Sequence, residues 1–300
     1  MTVTTTSLYV DVLCDARCQV GESPLWHAAE AALYWVDIEG QALHRVDAAG
    51  RHRHWPVAER LASIAVHAQG GLLAAMETGL FHLRPADDGS ISSTLLHGIT
   101  FAQPAMRFND GRTDRQGRFW VSSMVRDMAA NKSAGGLWCC DARGLRASGI
   151  AGLFTGNGLA FSPNGRVMYL SDSHSSVQKV WAFELNDDGL PMRRRLFIDF
   201  APLPGRPDGA AVDADGCYWI CGNDAGQVHR FTPDGRLDRS LAVPAAKPSM
   251  CAFGGPGLDL LYVTSIATPR PATGYDRSLA GAVFVLRPGC SGLADTPFSG

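Results

Sequence analysis

Residues 205–219 read GRPDGAAVDADGCYW and hold two Asp-Gly pairs seven residues apart. The later pair is a turn. Asp213-Ala214-Asp215-Gly216 separates two short apolar runs, 210–212 and 217–220, and Asp-Gly between such runs marks a tight β-hairpin. The earlier pair, Asp208-Gly209, stands where the leading strand of that hairpin begins. A carboxylate there, followed by glycine and small alanines, makes no turn and needs another reason to be present.

The hairpin is one copy of a repeat. Strands carrying an aromatic after a turn signal recur as ALYWVDI at 32, GRFWVSSM at 117, RVMYLSDS at 166, GCYWICGN at 216 and LLYVTSI at 260. A weaker copy, GLLAAME at 71, fills the one wide gap. Further strands follow them: ALHRVD at 42, GLFHLRP at 79, GGLWCCD at 135, KVWAFEL at 179, QVHRFTP at 227 and AVFVLRP at 282. The pairs recur every 40–50 residues or so, roughly the period of a four-stranded propeller blade. Helical periodicity is scarcely visible. The expectation is an all-β chain: a six-bladed β-propeller of four-stranded antiparallel blades, one domain over residues 1–300 with its core at 8–287. Residues 8–13, LYVDVL, form a strand without a blade of its own, and the last repeat is one strand short. Pairing the two closes the ring and removes an exposed edge.

In a propeller the innermost strands line a central channel. Stepping back 11 to 13 residues from each aromatic strand reaches Glu22, Ser63 or its neighbour, Asn109, Asn157, Asp208 and Ser249. Asn-Gly and Asp-Gly are common turn dipeptides, so Asn109 or Asn157 alone would say little. Four oxygen donors at matching places in different blades say more, and Glu22 is hard to explain as a turn residue. Two carboxylates and two amide oxygens converging on the axis make a site for a hard cation. Asp208 is then a channel ligand.

Composition narrows the partners. The net charge is -2, and the densest basic run, Arg193-Arg194-Arg195, reads as a solvated turn. Neither nucleic acid nor an anionic membrane is expected as a partner. No apolar segment approaches the roughly 18 residues that span a bilayer, and residues 1–7 lack the pattern of a secretory signal, so the expected location is cytoplasmic. The eight cysteines include no C-x-x-C pair. Cys217 and Cys221 should share a face as buried, reduced thiols, whereas Cys139 and Cys140 point to opposite faces. No G-x-S-x-G elbow exists to support a serine nucleophile. Of the nine histidines, only His174, at the end of an inner strand, is placed to reach a channel mouth. Asp172 beside it reads as a strand-end residue bonding its own loop. Nothing in the sequence speaks to oligomeric state.

The segments GESPLWHAAEAALYWVDI, RFNDGRTDRQGRFWVSSM, TGNGLAFSPNGRVMYLSDS and RPDGAAVDADGCYWICG, spread over residues 14–287, resemble the senescence marker protein/gluconolactonase/regucalcin-like family of six-bladed propellers. The resemblance implies one divalent metal (calcium, zinc, manganese, magnesium or ferrous iron) on Glu22, Asn157 and Asp208. It also implies substrate contacts from Arg107 and Asn109, and a looser one from Asp127 in an irregular loop. The implied activity is hydrolysis of a sugar lactone, a small molecule, to the aldonic acid.

The residues suit that chemistry. A cation polarises the lactone carbonyl, Asp208 is the carboxylate best placed to activate water, and Arg107 with Asn109 would orient the sugar hydroxyls. The alternatives are an esterase or organophosphate hydrolase on the same scaffold, which calls for an apolar pocket, and a non-catalytic calcium-binding propeller. Specificity should lie in the loops 99–107, 126–134 and 268–280.

Overall fold

A computed structural model describes residues 10–267, 275 and 277–300. Among them, 24 strands form six four-stranded antiparallel sheets. The chain is a six-bladed β-propeller. Each of the first five sheets is laid down in chain order from the axis outward, with inner strands Gly21–His27, Leu61–Val66, Met106–Thr113, Gly156–Phe161 and Arg206–Val212. The sixth starts with Pro248–Gly254 and ends on Val10–Cys14, which pairs antiparallel with Val283–Leu286. The ring closes as expected, although residues 8 and 9 of the expected strand lie outside the described residues. So does most of the loop 268–280.

The second strand of a blade is covered on both faces by neighbouring blades, so its apolar run is continuous. Ala32–Asp37, Phe119–Val125 and Tyr218–Asn223 are buried throughout. The core therefore lies between blades. Cys139 packs with Trp120, Leu159 and Leu170 on one side of its blade, and Cys140 with Leu73, Phe119 and Phe298 on the other. All eight cysteines are free, and Cys217 and Cys221 are both buried. The outer strands meet water. The three arginines 193–195 belong to one of these, Pro191–Asp199, and not to the turn expected from the sequence. Arg194 and Arg195 lie over the rings of Trp181 and Phe197, which places their aliphatic stems on the sheet.

The aromatic of the repeat has a structural partner. Trp219 Nε1 donates to Asp213 Oδ2 at 2.9 Å, and Trp120 Nε1 donates to Asp114 Oδ2 at 2.8 Å. Each aspartate also closes its hairpin turn by accepting backbone N–H groups, from Asp215 and Cys217 in one case and Gln116 and Arg118 in the other. The C-terminal tail crosses the end of the channel where these turns lie. Arg112 pairs with Asp295 at 3.1 Å, and the tail backbone bonds Val66, Gly117, Ala214 and Leu258. An apolar cavity of about 430 Å³ beside it, lined by Trp26, Phe253, Leu258 and Pro297, touches none of the expected site residues.

Candidate functional site

The opposite end of the channel is where the inner strands begin. In every blade the pairing of the inner strand slips there, between Glu22 and Leu25, Leu61 and Ser63, Phe108 and Gly111, Asn157 and Ala160, Pro207 and Ala210, and Pro248 and Cys251. A β-bulge re-aims the side chains it displaces. Glu22, Asn109, Asn157, Asp208 and Ser249 all sit at or inside these slips. Gly209 follows for a packing reason: a Cβ there would lie 2.4 Å from Met250 of the next blade. Gly158 is likewise required, with φ +62° and Tyr218 Oη where its Cβ would point.

The structure joins several of the expected residues by hydrogen bonds. Asn109 Nδ2 donates to Asn157 Oδ1 and to the Gly156 carbonyl, both at 3.0 Å. Arg107 donates from one guanidinium nitrogen to Asn109 Oδ1 at 2.7 Å and to the Phe108 carbonyl at 2.8 Å. Asn157 Nδ2 donates to Ser173 Oγ at 2.6 Å, and Asn223 Nδ2 donates to Asp208 Oδ2 at 2.6 Å. Ser249 is committed elsewhere, with its hydroxyl donating to the Gly21 carbonyl. Ser63 Oγ is buried without a partner.

Three carboxyl groups crowd this end of the channel. Burial pushes Asp208 up to about 7, with Arg206 and the Asn223 hydrogen bond opposing. Burial also raises Glu22 well above the carboxylate range, with the negative charge of Asp208 adding to it. The third is Asp110, which the sequence argument had passed over as part of RFND. It is raised to about 6 by burial, its Oδ2 accepts from Leu159 N at 2.8 Å, and its Oδ1 is buried without a partner. Asn223 Oδ1 is orphaned in the same way. Buried polar atoms without partners are costly. An all-oxygen donor set with unspent oxygens and repelling carboxylates fits a hard divalent cation.

Two further expected contacts are engaged with their own loops. Asp127 is exposed and caps the short 3-10 turn Met128–Ala130 by accepting from Ala129 N at 3.0 Å. His174 stacks on Phe154 and bonds Ser176, and Asp172 accepts from His174, Phe154 and Thr155 N–H groups as a loop anchor. A second cluster with metal-ligand chemistry, Cys18, Asp37 and His44, lies buried in the first blade. Its atoms are already engaged. Asp37 accepts from the backbone of Gln19, Val20 and Gly40, Cys18 from Trp35, and His44 is bonded to His52. Asp37 thus repeats the anchoring role of Asp172.

Ser173 and Asn223, which brace Asn157 and Asp208, were also outside the sequence argument. Both end or follow the second strand of their blade, so a signal existed in the strand-end positions SDS and GN.

Residues 20–267 match the family model of the SMP-30/gluconolactonase/LRE-like region. The chain is 38% identical over 285 residues to a 6-deoxy-6-sulfogluconolactonase of Pseudomonas putida, covering 94% of this chain and 95% of that one. It is 32% identical to a pentonolactonase of Haloferax volcanii, covering 84% and 83%. The crystal structure of a calcium-binding protein, regucalcin, from Agrobacterium tumefaciens superposes with a TM-score of 0.86 at 26% identity over 97% of both chains. The chain belongs to the SMP-30/gluconolactonase/LRE-like family.

Proposed function

We propose that this protein hydrolyses a sugar lactone to its aldonic acid, with one divalent cation held by Glu22, Asn157 and Asp208. The observation that carries the reading is the buried pair Glu22 and Asp208, two carboxylates with raised proton affinity beside unspent oxygens. The relatives named as a 6-deoxy-6-sulfogluconolactonase and a pentonolactonase support a lactone of an aldonic acid as the substrate class, and the calcium-binding neighbour supports a cation.

When bound, the cation would supply Lewis-acid polarisation of the lactone carbonyl and a counter-charge for the carboxylates. Asp208 takes the proton of the attacking water as the water oxygen bonds the carbonyl carbon. Asn223 donates to Oδ2 and so orients the carboxyl for both tasks. The same proton goes to the ring oxygen when its bond to the carbonyl carbon breaks, and the acid and hydroxyl leave. Arg107, fixed by its bonds to Asn109 Oδ1 and the Phe108 carbonyl, turns its remaining N–H groups to substrate hydroxyls. Asn109 holds Asn157 in register, and Asp127 is an outer contact at most. The eight free cysteines fit a reducing compartment such as the cytoplasm.

The test is ring opening of a panel of aldonolactones by purified protein, followed by acid release, with cation added and after chelation. Cation-dependent opening of at least one supports the reading. Cation binding without opening would leave a non-catalytic propeller, and opening unaffected by chelation would remove the cation from the site.

A further inference from the structure

Charge is divided unevenly around the channel end that holds the buried carboxylates. Beside blades one to three, Arg60 bonds Glu39 at 2.9 Å and Glu77 at 3.2 Å, and Arg126 reaches the same Glu77 at 3.3 Å. Two cations and two anions cancel. Beside blades five and six, among the described residues, one carboxylate serves two cations: Arg206 Nε lies 2.8 Å from Asp224 Oδ2, and Lys247 Nζ lies 2.5 Å from Asp224 Oδ1. Both oxygens of Asp224 are engaged, so the triad carries one net positive charge, and its Arg206 faces Asp208, the carboxyl that the bound cation would offset.

That triad is next to the site. Arg206 and Asn223 are partners across the first hairpin of blade five, and Asn223 donates to Asp208. Asp224 follows Asn223, and Lys247 precedes Pro248, the first residue of the inner strand of blade six. The two cations therefore adjoin the Asp208–Asn223 pair on blades five and six, whereas Arg107 belongs to blade three. Their side chains are 29% and 26% exposed, so each keeps N–H groups for a ligand. Asp224 holds φ at +76°, a region in which Asp is enriched among non-glycine residues. Long side chains tied to one carboxylate lose little further freedom when a ligand arrives.

We infer that Arg206 and Lys247, braced by Asp224, form an anion subsite that takes an exocyclic phosphate or sulfonate at the end of the lactone remote from the carbonyl. The inference rests on the lactonase reading and adds the charge of the substrate to it. A tetrahedral oxyanion offers three acceptor oxygens, enough for both cations at once, and it meets the uncompensated charge of the triad.

The experiment compares kcat/KM for unsubstituted glucono-1,5-lactone, its 6-phosphate and its 6-deoxy-6-sulfonate, using the cation-loaded protein and the variants Lys247→Gln and Arg206→Gln. The expected result is a preference of the parent protein for a charged lactone, which Lys247→Gln reduces by about ten- to a hundredfold, mostly through KM. The better of the two charged lactones identifies the oxyanion. An anionic-to-neutral ratio that stays the same in both variants overturns the subsite while leaving the lactonase reading intact. Failure of all three lactones to open overturns both. Two variants are used so that misfolding of one leaves the other to decide.

Discussion

Asp208 and Asp213 lie five residues apart on one hairpin, and both are buried, at 7% and 0% exposure. Their surroundings differ completely. Asp213 accepts from Cys217 N, Asp215 N, Trp219 Nε1 and Arg230 Nε, all within 3.0 Å. Among the described residues Asp208 has one side-chain donor, Asn223. Blade three repeats the contrast: Asp114 is saturated by its turn, Trp120 and Arg118, whereas Asp110 keeps an orphaned oxygen. A buried carboxylate whose lone pairs are all filled holds the fold together. One left short of donors is held ready for something the chain does not contain.

The sharpest way to break that contrast is to neutralise each carboxylate in turn. Asp208→Asn should cut lactone hydrolysis by about 10²–10⁴-fold, the usual contribution of a positioned base. It should not lower the stability of the cation-free protein, because the parent's buried carboxyl is itself a burden there. The pH dependence follows. A carboxyl whose folded pKa is raised keeps a proton that the unfolded chain releases, so stability falls as pH rises between its unfolded and folded values. For Asp208 that window runs from 3.8 to about 7, and for Asp110 from 3.8 to about 6. Cation-free protein should therefore melt higher at pH 5 than at pH 8, and the gain from added cation should grow over the same range. Thermal melts with and without chelator measure both. A flat profile would mean that these groups are not the buried, under-compensated carboxyls described.

Asp213→Ala should do the opposite. Arg230 keeps Asp215 and Asp238, but the turn N–H groups of Asp215 and Cys217 and the Trp219 indole lose their acceptor, and each buried donor left unpaired costs about 1–3 kcal/mol. Urea unfolding should show the loss, while hydrolysis per folded molecule stays near that of the parent.

A smaller effect is expected at Arg107. Removing one charge-assisted contact to a sugar oxygen costs about 1.5–3 kcal/mol, so Arg107→Ala should lower kcat/KM by about ten- to a hundredfold. Cation affinity, read from the shift in melting temperature, should be kept. If affinity falls with it, Arg107 orders the ligand set through Asn109 and is not only a substrate contact.

The smallest effect is expected at the thiols. Cys221 is fully buried and raised well above the ordinary thiol range by that burial, with its neighbour Cys251 adding to it, and burial raises Cys217 as well. Protonated, enclosed thiols react slowly. Mild alkylation of the native protein should leave hydrolysis unchanged, and rapid inactivation prevented by lactone would place a cysteine in the pocket.

The propeller was legible because its period is written locally. Each blade needs a turn and a strand covered on both faces, and those demands repeat in the chain as a turn signal and an apolar run, with an aromatic in five of the six; in blades three and five a tryptophan also meets the turn aspartate. Glu22, Asn109, Asn157 and Asp208 were legible for a related reason: they break the apolar pattern at the same phase of the repeat. Arg193–Arg195 show the limit. An outer strand is bare on one face, so three consecutive charges sit in it as comfortably as in a turn.

By itself, then, the sequence determined the number of blades, the pairing of the first strand with the last repeat, and which polar residues begin the inner strands. Only the tertiary structure decided which of those residues are left under-bonded. Asp208 and Asp213 are the same residue type in one hairpin, but whether donors reach them depends on Arg230 and Asn223, on other strands of the blade. The same holds for Ser249, spent on a carbonyl of the first blade, and for Asp224, which draws Arg206 and Lys247 together from two different blades. Hydrogen bonds and charge pairing act over about 3–4 Å in space, and ring closure brings within that distance residues that the chain keeps far apart.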